Sequence, residues 1–183
     1  MKQKALFLDR DGVINHEKEY VYKIADFQFI DGVFDVCAQY KAAGFKIIVV
    51  TNQSGIGRGY YSEADFQKLT VWMNQQFAQN FIDIDGVYFC PHHPTDALPP
   101  YQKICQCRKP KPGMLLQAIE EHDIDPQQSI MFGDKEADIE AAIAADIGHK
   151  VLVRSGHAVS DSAVKIADKV VDSLTFINEF THC

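Results

Sequence analysis

Two carboxylates one residue apart, Asp9 and Asp11, follow directly on the apolar run Ala5-Leu6-Phe7-Leu8. Such a run reads as a buried strand. A carboxylate pair at i and i+2 leaving its C-terminal end is placed to share one reacting phosphorus or one metal ion. In isolation, Asp9-Arg10-Asp11-Gly12 reads equally well as a solvated turn, because Asp and Gly are common turn residues. Two further strand ends decide between these readings. Thr51-Asn52-Gln53-Ser54-Gly55 follows the apolar segment 46–50 with hydroxyl and amide groups suited to phosphate, and Gly133-Asp134-Lys135 with Asp138 follows 130–132 with more carboxylates. Thr51, Asp134 or Asp138 alone would serve as a helix cap. Oxygen ligands from separate strand ends suit Mg²⁺, which takes one or two carboxylates plus a substrate phosphate and keeps several waters.

A second constellation lies between 90 and 107. Cys90, Cys105 and Cys107 cluster with His92 and His93, a spacing unlike that of a disulfide framework. Three thiolates and one imidazole make a closed tetrahedral set for a structural Zn²⁺, with no position left for a catalytic water. Cys90, His92, Cys105 and Cys107 are the expected ligands, and spacing leaves His93 open as an alternative to His92. The stretch 90–112 has no periodicity, and a loop of that length within a compact domain calls for a cause such as a bound metal. Cys37 and Cys183 read as inert thiols. His16, His122, His149, His157 and His182 carry no spacing signal.

The elements that must position these groups alternate between short apolar runs and longer amphipathic stretches, as in successive βα units around a mostly parallel sheet. Strands are expected at 4–8, 46–50, 86–89, 129–132, 150–153 and 169–171. Helices are expected at 31–43, 62–79, 113–122, 136–145 and 173–180. Gly44 suits a helix stop, Ser62 with Asp65 a capping arrangement, and Pro112 a first helical turn. The stripe Phe66, Leu69, Met73 and Phe77 has helical spacing and is expected on the sheet. The 183 residues, 46% hydrophobic, fit one domain over 1–183 with one substantial core. A net charge of −7 excludes a general nucleic-acid binder, which needs clustered Lys and Arg. Neither a membrane-spanning run nor a cleavable signal pattern is present, so no membrane partner and a cytoplasmic location are expected.

Asp9-Arg10-Asp11-Gly12-Val13, Thr51-Asn52, Lys109 and Gly133-Asp134 with Asp138 resemble the four ordered motifs of the haloacid dehalogenase (HAD) phosphatase superfamily. The resemblance implies an α/β, Rossmannoid three-layer sandwich, with Asp9 as a nucleophile forming an aspartyl-phosphate and Asp11 as acid and base. It also implies Mg²⁺ at Asp9, the Asp11 carbonyl and Asp134, with Lys135 a neighbour, and neutralisation of the phosphoryl group by Thr51 and Lys109. The zinc loop, with Ser54-Gly55-Ile56 and Arg108-Lys109-Pro110, narrows the resemblance to the family of D-glycero-D-manno-heptose 1,7-bisphosphate 7-phosphatases. In that family the positions matching Glu17, Lys18, Glu19, Tyr20, Thr51, Asn52, Gln53, Ser54, Arg108 and Lys109 contact the substrate. Metal binding at Cys107 would fix the path of Arg108 and Lys109.

Val13 stands where many relatives carry Thr, and Glu17-Lys18-Glu19-Tyr20 varies locally, which leaves sugar and anomer preference open. Gly55, Gly57 and Gly59 lack the Gly-Lys-Ser/Thr ending of a P-loop. Arg58 either reaches a distal phosphate or faces solvent. No large cap domain is visible, so an open site for a small sugar bisphosphate is expected, in a monomer. The alternatives are a histidinol-phosphate phosphatase, another small sugar-phosphate phosphatase, or a non-catalytic phospho-sugar-binding protein.

Overall fold

The computed structural model describes residues 2–181, so the readings of His182 and Cys183 lie outside the described residues. Six strands, β1 (Lys4–Leu8), β2 (Phe45–Asn52), β3 (Gly86–Cys90), β4 (Ile130–Gly133), β5 (His149–Val153) and β6 (Lys169–Val171), form one sheet in the order β3-β2-β1-β4-β5-β6. Every pairing in it is parallel.

The helices are α1 (Val33–Ala42), α2 (Ser54–Gly57), α3 (Glu63–Gln79), α4 (Gly113–Glu121), α5 (Glu136–Ala144) and α6 (Asp161–Ile166). Strand side chains alternate between two cores, as the period of two requires. Leu6, Leu8, Ile47 and Val49 join Cys37 and Tyr40 of α1 and Leu69, Met73 and Phe77 of α3. Ala5, Phe7, Ile48 and Val50 join Met114 and Leu115 of α4 and Ala141 and Ala142 of α5. The result is the expected three layers, each fully buried Leu or Phe contributing roughly 1.5–3 kcal/mol.

Local signals explain several boundaries. Gly44 follows α1 at φ +85°, a left-handed conformation that glycine adopts freely. Ser62 and Asp65 form a reciprocal capping box at the start of α3. Three expectations need correction. Helix α2, a single turn at Ser54–Gly57, was not anticipated, nor was α6, which is six residues long, too short for a periodic stripe, and is capped by Ser160, whose side chain accepts the Ala163 N–H. The helix expected at 173–180 is a single 3₁₀ turn at Asn178–Phe180. There the Tyr40 hydroxyl donates to the Thr175 carbonyl and accepts from the Ile177 N–H, drawing those backbone groups away from a helical ladder.

β1 lies between β2 and β4, where the strand order reverses, the position at which such sheets open a crevice beyond their carboxyl ends. Two long loops border that crevice. The one between β1 and α1 contributes a single 3₁₀ turn at Ile24–Asp26, and the one between β3 and α4 has neither helix nor sheet strand, so neither builds a cap lobe.

Candidate active site

Because β1, β2 and β4 are adjacent and parallel, Asp9, Thr51 and Asp134 leave neighbouring strand ends together. A cavity of about 480 Å³ opens there, lined by Asp9, Asp11, Glu17, Glu19, Tyr20, Asn52, Gln53, Ser54, Arg108, Lys109, Lys135, Asp138 and His157 among others. Thr51 and Asp134 are each about 1% exposed and lie outside that lining. Of the expected substrate residues, Lys18 alone is exposed and away from the cavity. Arg58 is also outside it, 3.4 Å from Asp96.

Lys109 is buried, and its Nζ stands 2.6 Å from Asp138, 3.1 Å from Asp9 and 2.8 Å from the Val50 carbonyl. Burial opposes its charge, but Asp138 and Asp9 outweigh that and raise its proton affinity. Asn52 clamps the same residue, its Oδ1 accepting the Lys109 N–H and its Nδ2 donating to the Lys109 carbonyl, both at 3.1 Å. Asn52 thus holds the lysine's backbone.

Asp9 accepts from the Arg10 N–H at 2.7 Å and pairs with Lys109, both on Oδ1. Burial pushes its carboxyl up to about 6, with Lys109 pulling against the carboxylates Asp138 and Asp11. Asp11 is held differently. Burial would raise it, but the Arg10 guanidinium at 2.9 Å and hydrogen bonds from Arg10, Asn15 and Gln53 keep its carboxyl below the ordinary range.

Asp134 and Asp138 have separate tasks. Asp138 Oδ2 accepts the N–H groups of Asp134 and Lys135 while Oδ1 holds Lys109, so both oxygens are committed. Asp134 Oδ2 accepts the His157 N–H at 2.9 Å and stands 2.6 Å from His157 Nδ1. Its Oδ1 is buried without a hydrogen-bond partner among the described residues. An orphaned buried carboxylate oxygen is costly and calls for a cation. Burial and the nearby Asp9 raise the Asp134 carboxyl as well. Carboxylate oxygens of Asp9, Asp134 and Asp138 lie within 4.8 Å of one another, so the site fits a divalent ion bound mainly through Asp9 and Asp134. The approach is tight: Gly12, at φ +87°, and Gly156 pack so closely on Asp134 that a Cβ on either would collide with Oδ2.

Among the lining residues that the sequence did not reveal are Tyr61 and, beside Asp134, His157. The one available signal for His157 is position, a few residues past the C-terminal end of β5 and so on the crevice side.

The second constellation also assembles. Cys90, Cys105 and Cys107 Sγ atoms stand 3.0–3.6 Å apart, and His92 Nδ1 is 3.2 Å from Cys107 and 3.6 Å from Cys90. Tetrahedral ligands of a metal with bonds near 2.0–2.3 Å stand roughly 3.5–3.8 Å apart, close to this arrangement. His93 is elsewhere, its Nδ1 accepting the N–H groups of Asp96 and Thr95. The His92 carbonyl accepts from Arg108 at 3.2 Å, which ties this loop to the cavity wall.

A parallel three-layer sheet with carboxylates, lysine and hydroxyl at adjoining strand ends defines a hydrolase of the HAD superfamily. The HAD-hydrolase-like family model matches residues 106–176. The D-glycero-beta-D-manno-heptose-1,7-bisphosphate 7-phosphatases of Yersinia pestis and Haemophilus influenzae are each 52% identical to this chain, over 93% of its length and 90% and 92% of theirs. The crystal structure of a D,D-heptose 1,7-bisphosphate phosphatase from B. bronchiseptica, complexed with magnesium and phosphate, superposes with a TM-score of 0.80 at 28% identity over 97% of both chains. A HAD-like phosphatase structure from Mesorhizobium loti gives 0.79 at 33% identity, over 88% of this chain and 77% of that one. The chain belongs to the heptose-1,7-bisphosphate 7-phosphatase family.

Proposed function

We propose that the chain removes the 7-phosphate of D-glycero-β-D-manno-heptose 1,7-bisphosphate through an aspartyl-phosphate on Asp9. The observation that carries this reading is the pairing of Asp9 with buried Lys109 at the cavity floor, with Asp11 fixed two residues on. Asp9 Oδ2, free of the bonds made by Oδ1, attacks phosphorus. The bond from phosphorus to the sugar oxygen breaks, and Asp11 gives that oxygen its proton. A phosphate dianion beside Asp11 pushes its proton affinity up against the hold of Arg10, the direction that its role as acid requires. Water then attacks phosphorus, Asp11 takes its proton, and inorganic phosphate leaves Asp9.

Thr51 Oγ1 accepts from Gln53 Nε2 and retains its own hydrogen for a phosphoryl oxygen. Mg²⁺ held by Asp9, Asp134 and the Asp11 carbonyl supplies charge compensation for the phosphoryl oxygens. The Lys135 ammonium has no lone pair and so is not a ligand of the ion; the side chain lines the cavity as a further positive group. Zn²⁺ at Cys90, His92, Cys105 and Cys107 has a structural role, and the His92 carbonyl sets Arg108 toward the remote 1-phosphate.

Glu17, Glu19 and Tyr20 face the sugar, where carboxylates suit hydroxyl donors. The test is kcat/KM measured side by side for both heptose 1,7-bisphosphate anomers, fructose 1,6-bisphosphate and histidinol phosphate. The β-heptose substrate is expected to lead by at least about tenfold, roughly 1.4 kcal/mol in transition-state binding. Equal values, or a lead for histidinol phosphate, would refute the assignment.

A further inference from the structure

Gln53 was expected to bind substrate, yet its buried amide is engaged by the protein itself. Tyr61 Oη donates to Gln53 Oε1 at 2.5 Å, while Gln53 Nε2 donates to Asp11 Oδ2 at 3.0 Å and to Thr51 Oγ1 at 2.9 Å. A carboxylate only accepts, so Nε2 must face Asp11, and the orientation of the amide follows from its neighbours. Both Nε2 hydrogens are thereby spent. Arg10 and Asn15, the other groups holding Asp11, come from the same loop as Asp11. Gln53 reaches it from the end of β2 and ties it to Thr51. Tyr61 is itself fixed by stacking on Tyr22, with ring centroids 4.9 Å apart and an interplanar angle of 6°, and Gly55 leaves no room for a Cβ between Tyr61 and Tyr20.

We propose that Gln53 is a positioning residue which, locked by Tyr61 and anchored on the strand-held Thr51 hydroxyl, keeps the Asp11 carboxyl in place at the cavity floor. Resting on the aspartyl-phosphate reading, the inference assigns the relay to one step, proton delivery from Asp11 to the departing sugar oxygen while Thr51 restrains the phosphoryl group. The consequence depends on the leaving group. A sugar alkoxide needs the Asp11 proton as its bond to phosphorus breaks, whereas p-nitrophenolate departs without one. Displacing Asp11 therefore slows phosphorylation of Asp9 by the sugar bisphosphate and spares phosphorylation by p-nitrophenyl phosphate.

The experiment is rapid-quench single turnover of the full chain with Mg²⁺, comparing wild type, Gln53→Leu and Tyr61→Phe on heptose 1,7-bisphosphate and on p-nitrophenyl phosphate. The p-nitrophenolate burst reads phosphoenzyme formation directly. Gln53→Leu is expected to slow the sugar reaction about 30-fold or more, a fraction of the 10²–10⁴ that general acid–base catalysis supplies. The burst should slow less than about threefold, with KM for the sugar within about twofold. Tyr61→Phe, which removes one hydroxyl, should show the same pattern at about threefold and carries the test if Gln53→Leu does not fold. Equal losses on the two substrates overturn the proposal, as does a raised KM for the sugar with unchanged kcat, the mark of direct substrate contact. A wild type that shows no burst, and no phosphoenzyme lost in Asp9→Asn, removes the parent mechanism and this inference with it. A normal wild type whose variants lose both reactions alike removes the inference alone.

Discussion

Asp9→Asn should abolish phosphate release and, in Mg²⁺-free buffer at pH 8, make the protein more stable. Asp9 is 7% exposed, and its carboxyl is raised from 3.8 to about 6 by burial that Lys109 only partly offsets. Ionising it in the folded chain therefore costs about 3 kcal/mol more than in the unfolded chain. The sign follows from proton counts. Between about pH 4 and 6 Asp9 binds more protons in the folded than in the unfolded state, so its contribution to wild-type stability falls as pH rises through that window and is flat above it. Asn keeps the acceptor for the Arg10 N–H and has no charge to bury. Lys109 retains Asp138. The variant should thus equal wild type near pH 4 and exceed it by about 3 kcal/mol at pH 8. For a chain of this length that is a gain of roughly 6–12 °C in Tm. The assay is paired urea and thermal melts at pH 4.5, 6 and 8, with zinc retained and magnesium omitted. Taking the difference between variant and wild type cancels losses common to both, such as protonation of the cysteine cluster. Adding Mg²⁺ should narrow the gap by stabilising wild type. A variant less stable than wild type at pH 8, or a difference independent of pH, would refute the reasoning.

Three further substitutions test other parts of the site. Cys107→Ala should lower bound zinc from about one per chain to none and Tm by roughly 10 °C, read by metal analysis and calorimetry; full zinc content would exclude this ligand set. Arg108→Ala removes the guanidinium held by the His92 carbonyl and should raise KM for the bisphosphate roughly 10- to 100-fold, as loss of a charged hydrogen bond predicts, leaving p-nitrophenyl phosphate turnover unchanged. Gly156→Ala pushes a Cβ into Asp134 Oδ2 and should raise the magnesium concentration for half-maximal activity roughly 10- to 100-fold in a folded protein, read by magnesium titration.

The sheet was legible because its strands are short, apolar and rich in β-branched residues, and because each ends in a polar change that marks the crevice side. The same reasoning found Asp9, Thr51 and Asp134 through a repeated local pattern, an apolar run followed by oxygen ligands. It did not find His157, which follows an ordinary β5 and gains meaning only when the β5–α6 loop folds back on Asp134. Nor did it separate contact from support. Asn52 and Gln53 sit among phosphate-binding residue types, and their spacing says nothing of the Lys109 backbone or the Asp11 carboxylate that their amides hold. The choice between His92 and His93 was open for a related reason. Both are adjacent to the cysteines in sequence, and only the turn at Thr95 and Asp96 draws His93 away.

The charges of the cavity explain how an acidic protein handles a dianion. Five carboxylates line it, from Asp9, Asp11, Glu17, Glu19 and Asp138, against three basic side chains, from Arg108, Lys109 and Lys135. Without further positive charge such a surface repels phosphate, so the divalent cation proposed at Asp9 and Asp134 would contribute to substrate binding as well as to catalysis. Lys109 is divided in the same way. Its shorter contact, 2.6 Å, is to Asp138, whose oxygens are otherwise occupied by two backbone N–H groups, and its longer one, 3.1 Å, is to Asp9. Asp138 is the anchor that stays. In the proposed mechanism Asp9 is the partner whose charge would move onto the phosphoryl oxygens on esterification, and the ammonium, fixed from below by Asp138, would follow that charge without leaving its seat.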